Sequence, residues 1–149
     1  VVFEAGFADI VVVPWAPLTL NDAVFSRTQL AEIETLGTDL SKFFLNVCSP
    51  TLAFDESVGI PGTTHPDSLS VGVLLHPELA TRTGDYHVAV EANSALTRGY
   101  SAMSWGVHGL AANARVVEQA AAADFYAWIK GFLATETTPS RPLSGGLFG

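Results

Sequence analysis

The sequence is poor in cysteine, in basic residues and in long apolar runs, and each shortage excludes something. Cys48 is the only cysteine among 149 residues, so no internal disulfide framework and no thiolate metal cluster can form. Within its apolar stretch it reads as a buried thiol. Seven Lys and Arg stand against fifteen Asp and Glu, for a formal net charge of -8, and the basic residues nowhere cluster. A phosphate-bearing partner would meet an opposing field, so neither a nucleic acid nor an anionic membrane is expected. No apolar run approaches the ~20 residues that a bilayer span needs. An initiator Met and the layout of a leader are missing from Val1-Val2-Phe3-Glu4-Ala5-Gly6-Phe7. That opening reads as a cut through the middle of a longer fold. Cysteine usage leaves the compartment open, and the cytoplasm is favoured.

Apolar residues are what the chain has in excess: 48 % hydrophobic against 15 % charged, with a mean hydropathy of +0.32. This is one domain's length, and the composition is that of a folding chain rather than a disordered one. The surplus must lie in a core or in a face that something else covers.

Ala8-Asp9-Ile10-Val11-Val12-Val13, stopped by Pro14, has the form of a strand buried on both faces in a parallel sheet. Residues 1 to 7 before it read as the end of a helix, with Gly6 as its stop. Ser26-Arg27-Thr28-Gln29 is a capping box that opens a helix running to Gly37. A second helix starts at Thr38 or Asp39 and carries Leu40, Phe43, Phe44 and Val47 on one face. Pro50, Gly59, Pro61 and Gly62 make 49–64 a loop. Pro66 to Leu75 is apolar around most of its circumference, which predicts a central buried helix. Two half-buried strands are expected at 86–91 and 100–105, with a third short one at 116–118. A final helix presents Phe125, Trp128, Ile129, Phe132 and Leu133 at helical spacing, a stripe expected to pack on the sheet. Residues 1–134 then form the folded part, and 135–149, rich in Thr, Ser, Pro and Gly, a flexible tail.

The standard catalytic signatures HExxH, GxSxG, Walker A and GxGxxG are absent. Candidate chemistry centres on Thr63 to Leu75, where Asp67 stands at the entry of an apolar helix. Asp67 serves either as a helix-start carboxylate or as a hard-cation ligand. His65, beside Pro66, is either a loop imidazole or a proton donor. Trp15 follows the first strand at the carboxyl edge of the sheet, where α/β folds place ligands, and is a packing residue or a stacking platform. His76 suits a helix end, and His87 and His108 read as structural or surface residues.

The order of parts resembles the inosine–uridine-preferring nucleoside hydrolases. It is carried by Val1 to Phe7 before the strand Ile10 to Pro14, by Leu36-Gly37-Thr38, and by Pro66-Asp67-Ser68-Leu69-Ser70-Val71 running into Leu74 to Leu79. Leu96-Thr97-Arg98-Gly99, Asn113-Ala114-Arg115-Val116 and the closing helix with Phe125 and Trp128 complete it. The resemblance covers residues 1 to 134. It implies the carboxyl-terminal half of an open, mostly parallel-sheet α/β fold, with a small strand pair and a closing helix. It further implies hydrolysis of the N-glycosidic bond of ribonucleosides at a bound Ca²⁺. Asp67 matches the family's late calcium-ligand aspartate. Pro66 stands where many members carry the histidine that assists the leaving base, so His65 would act from one residue earlier. The family's Asp-rich amino-terminal motif and its ribose-binding segment are not in the sequence. The chain alone is therefore expected to be inactive and to need a partner, either the missing amino-terminal half or a second copy. Its small-molecule ligand would be a nucleoside. The alternative is a non-catalytic sugar-binding or self-assembling protein that reuses the half-fold.

Overall fold

The computed structural model describes residues 2–104, 106 and 109–136. Trp105, His108 and nearly all of the expected tail lie outside the described residues. The strands are β1 (Val11–Val12), β2 (Val24–Phe25), β3 (Thr63–Thr64), β4 (Ala80–Val90), β5 (Ser101–Ser104) and β6 (Ala114–Ala120). The helices are α1 (Leu20–Asp22), α2 (Arg27–Glu34), α3 (Asp39–Ser57), α4 (Pro66–Leu75) and α5 (Ala122–Leu133). β2 and β3 make a separate two-stranded sheet. The chain divides into two compact units, one of Val1–Val24 with Thr64–Phe125 and one of Phe25–Thr63 with Tyr126–Gly149.

The first unit holds a four-stranded sheet in the order β1-β6-β4-β5. Only β1 and β6 run parallel, while β6–β4 and β4–β5 are antiparallel. The expectation of a mostly parallel sheet is therefore wrong, and the sheet is mixed and mostly antiparallel. The reason is that the long strand β4 is the centre of the sheet: β5 returns along one side of it and β6 pairs antiparallel with the other, which leaves β1–β6 as the parallel pair. The strand pair expected as a small appendage is the body of the sheet. The run 8–13 supplies only the two-residue edge strand β1, and Val11 is 56 % exposed rather than buried on both faces.

One core cluster of this unit is Val88, Ala114 and Val116, with Ile10, Val12, Tyr86 and Met103 packed against it. At the end of β6 the Asn113 side chain continues the ladder. The Val88 N–H donates to its Oδ1 at 2.7 Å, and its Nδ2 donates to the Val88 carbonyl at 3.0 Å. Further along, β6 bulges. Arg82 pairs with Gln119 and Thr83 with Val117, which leaves Glu118 as the extra residue. Glu118 accepts the Tyr86 hydroxyl and pairs with Arg82 Nε at 2.6 Å.

Helix α4 begins with Pro at its first position, which needs no amide donor, and carries Asp67 in its first turn. It is not the central buried helix its composition predicts. Leu69, Gly72 and Val73 are buried, but Val71, Leu74 and Leu75 are exposed. An apolar circumference shows that a helix needs cover without showing that its own chain supplies it.

In the second unit the capping box of α2 forms as expected: Ser26 Oγ accepts from the Gln29 N–H, and the Gln29 side chain accepts from the Ser26 N–H at 2.9 Å. Gly37 breaks the chain at φ +66°, and Thr38 caps α3 by accepting from the Ser41 N–H. The loop expected from residue 49 is instead helix, because α3 continues through Pro50 to Ser57. One lost amide hydrogen bond at Pro50 is outweighed by Phe44, Cys48 and Leu52, which continue the inward spacing past it. Phe25 anchors this unit, with its ring 5.2 Å from that of Tyr126 in a T-shaped contact and 6.4 Å from that of Phe44. Tyr126 donates to the Gln29 carbonyl and to Glu32, and Lys130 meets Glu32 at 2.7 Å.

These pairings predict an acid limit. The Glu32 carboxyl is held below its ordinary value first by the hydrogen bond from Lys130, then by that from Tyr126. Glu56 is held down first by the hydrogen bond from Arg27, and Glu118 first by that from Tyr86. Each depressed value contributes stability that is present above the ordinary glutamate value of 4.5 and is lost as pH falls through the folded value. The thermal midpoint is expected to fall on acidification below about pH 4.5. Replacing Glu32 and Glu56 together with Gln should flatten that fall, and an unchanged pH profile in the double variant would refute the assignment.

Candidate functional site

Three residues were singled out for chemistry: Trp15, His65 and Asp67. All lie in the first unit. β1 ends at Val12, and a short helical turn, Trp15–Thr19, follows at its carboxyl end. Thr19 fixes the turn by donating from Oγ1 to the Pro14 carbonyl at 3.2 Å. Leu18 and Thr19 point inward, while Trp15 is 47 % exposed. Trp15 lies just past the end of β1. The turn packs against α4 and β6, so the carboxyl end of β1 and helix α4 belong to one neighbourhood.

His65 is the residue before α4 and is buried. Its N–H donates to the Ala23 carbonyl at 2.9 Å, and its own carbonyl accepts from the Leu69 N–H at 3.0 Å. The first bond docks the start of α4 onto the segment after α1, and the second opens the helix. Asp67, two residues later, is exposed in the first turn, where the helix dipole favours its negative charge. A buried imidazole and an exposed carboxylate at one helix start are thus set apart by their environments. Of the other histidines, His76 pairs with Glu78 at 3.2 Å, and His87 lies 2.9 Å from the Ala111 carbonyl through Nδ1. Both are accounted for by local structure.

Ca²⁺ takes 6–8 oxygen ligands. Among the described residues no group of three or more His, Cys, Asp or Glu could hold a metal ion. Asp67 can offer only one carboxylate, so the described residues by themselves do not fit a calcium site. The Cys48 thiol is pushed up to about 11 by burial and is protonated at neutral pH. It is no nucleophile there.

A groove of about 780 Å³ runs beside β1 and α4, lined among others by Val11, Val13, Val73, Leu74 and Pro77. A second groove, of about 630 Å³, includes Phe7, Asp9, Asp85, Asn113 and Arg115, with Arg115 Nε 3.1 Å from Asp85. None of Trp15, His65 and Asp67 lines this second, polar groove. Its members come from the segment leading into β1, from β4 and from the start of β6, and no local spacing announces such a juxtaposition.

The family profile described as inosine-uridine preferring nucleoside hydrolase matches residues 1–127. The chain belongs to that family. Among solved structures it is similar to an inosine-guanosine nucleoside hydrolase, with 18 % identity and a TM-score of 0.72 over 87 % of this chain and 40 % of that one. It is also similar to a purine-preferring ribonucleoside hydrolase from Gardnerella vaginalis, with 18 % identity and a TM-score of 0.65 over 78 % of this chain and 37 % of that one. No curated protein sequence matches. The chain therefore spans about two-fifths of the length of the structures it matches. No helix among the described residues is long and apolar enough to cross a membrane.

Proposed function

We propose that this chain is the carboxyl-terminal part of a ribonucleoside hydrolase that cleaves the N-glycosidic bond to ribose and free base. The reading is carried by the family match over residues 1–127, and the fold similarity at a TM-score of 0.72 over only 40 % of a hydrolase supports the partial coverage. In the reaction the C1′–N bond breaks, the oxygen of a water bonds to C1′, and the base leaves with a proton. Most of the carboxylates for a Ca²⁺ and for the water's proton come from polypeptide other than the residues described. This chain contributes Asp67 as one oxygen ligand and the exposed Trp15 for stacking a base. His65 lies near enough in sequence to lend a proton, and its burial makes Asp67 the stronger candidate of the two. Residues 1–134 act as one functional piece, with 135–149 as a tail. The partner is the remaining part of the hydrolase domain. It would cover the exposed apolar residues of α4 and the outer edge of β1, which now pairs on one side only.

The test is complementation. The chain is co-expressed with the amino-terminal portion of its own coding region or of a neighbouring one that carries an Asp-rich motif, and ribose release from inosine and uridine is measured with and without Ca²⁺. Activity that appears only in the pair, and falls at least tenfold in Asp67→Ala, is expected. The same substitution sits on an exposed turn and should leave the thermal midpoint within about 2 °C, since surface changes cost little. Full activity in Asp67→Ala would remove that residue's role. A pair that assembles and hydrolyses nothing under any metal condition would favour the non-catalytic, sugar-binding or self-assembling reading instead.

A further inference from the structure

Helix α3 has one face turned inward and a second apolar face that, among the described residues, stays exposed. Ser41, Cys48 and Asp55 are buried at a spacing of seven, and Phe44 and Leu52 flank them. Phe43, Val47, Phe54 and Val58, at the C-terminal cap, are 68, 57, 64 and 58 % exposed. At 100° per residue these four fall in one stripe about 60° wide, centred about 110° around the helix from the buried face. Pro50 and Thr51 flank the middle of the stripe. The charged residues of α3, Asp39, Lys42, Asp55 and Glu56, all fall outside it, and Lys42 and Glu56 already have partners in Asp39 and Arg27. A solvated helix face would carry charges where these residues stand.

We propose that the stripe is the interface of a homodimer in which α3 packs antiparallel against α3 of a second copy, across a two-fold axis between Pro50 and Thr51. Two features of the stripe select that occupant. Large and small side chains alternate along it as Phe, Val, Phe, Val. Reversing a second copy about that axis sets Phe43 against the other copy's Val58 and Val47 against its Phe54. Each large side chain then meets a small one, as closely packed cores require. Parallel pairing would set Phe on Phe and Val on Val. The pattern is therefore self-complementary only under the two-fold reversal that builds an isologous dimer. The second feature is area. The four side chains expose roughly 450 Å² per copy, so two copies with the flanking Leu40, Pro50 and Thr51 reach about 1,000 Å², the lower bound of a specific interface. Weak, micromolar association is expected for an interface at the low end of the size range. Because the stripe holds no charge, association should not weaken as salt is raised.

Neither the hydrolase reading nor its complementation test is needed for this dimer. The experiment is sedimentation equilibrium of the full 149-residue chain, alone and as Phe43→Glu/Phe54→Glu, at low and high salt. Both positions are exposed, so the variant should retain the wild-type circular dichroism spectrum. A reversible dimer, insensitive to salt and weakened at least a hundredfold by the double substitution, is expected. A wild-type chain that is monomeric at about 200 μM overturns the proposal, because that lies well above the expected constant. So does a dimer that survives the double substitution. Orientation is read separately in a Cys48→Ala background with a short bis-maleimide. Thr51→Cys, beside the axis, should cross-link rapidly and Val47→Cys slowly. Equal rates at the two positions would overturn the antiparallel arrangement.

Discussion

Asn113→Ala is expected to destabilise the chain by about 2–4 kcal/mol, with a fall of roughly 6–12 °C in thermal midpoint. The Asn113 amide stands in for a strand residue. It accepts from the Val88 N–H at 2.7 Å and donates to the Val88 carbonyl at 3.0 Å, while its own N–H donates to the Tyr86 carbonyl at 3.0 Å. Val88 is 1 % exposed and lies in the core cluster with Ala114 and Val116. Truncation would strand a donor and an acceptor where water does not reach, and each such group costs about 1–3 kcal/mol. Asn113→Asp keeps an acceptor and loses the donor, so it should fall between wild type and alanine. Hydrogen exchange at the Val88 amide gives the local readout. Unchanged protection there in the alanine variant, with an unchanged midpoint, would show that the side chain does not hold β4.

How far the sequence could be read depended on how local each signal was. Ser26 with Gln29, Thr38 with Ser41, and Phe125 with Ile129 and Leu133 are all decided within one or two helical turns and stand where the spacing put them, whereas Phe132 of the same expected stripe is 58 % exposed. The direction of the sheet is not local. Val11, Val12 and Val13 look like an interior parallel strand, yet β1 stands at the edge of the sheet, paired with β6 alone, and the pairings beyond β6 are antiparallel. Pro50 misled in the other direction, since a lost amide bond is outweighed where the inward face of a long helix continues beyond it. Of the candidate site, Trp15 at a strand end and Asp67 in a first turn were legible because each sits next to a sequence boundary. The partners of Asn113 and Glu118 were not, because they lie 25 and 32 residues away on β4 and meet only through register. Exposure was the least legible property. Leu74 and Leu75 on α4 and Phe43 and Phe54 on α3 count as core residues by composition, and only the fold shows them facing outward.

Gly84→Val reverses the sign that strand propensity assigns. Valine is a better strand former than glycine by up to about 1 kcal/mol, and position 84 lies inside the long strand β4. A Cβ at Gly84, however, would stand 2.5 Å from Tyr86 Cε2 and 2.7 Å from Glu118 Oε1. The Tyr86 ring lies back across the glycine to hand its hydroxyl to Glu118, which Arg82 holds from the other side. Glu118 can swing aside at little cost. The ring cannot, because it also packs against the Val88, Ala114 and Val116 cluster. The substitution is therefore expected to cost about 1–3 kcal/mol, the range for overpacking a filled site. The phenol should report the cause, since Tyr86 is now raised above its ordinary value chiefly by the hydrogen bond to Glu118, and a displaced ring would titrate lower. Tyr86→Ala provides the decisive background. With the ring gone, Gly84→Val should become neutral or stabilising, a coupling of about 2 kcal/mol in a double-mutant cycle. Additive effects in that cycle would mean that glycine is required at this position by something other than the tyrosine lying over it.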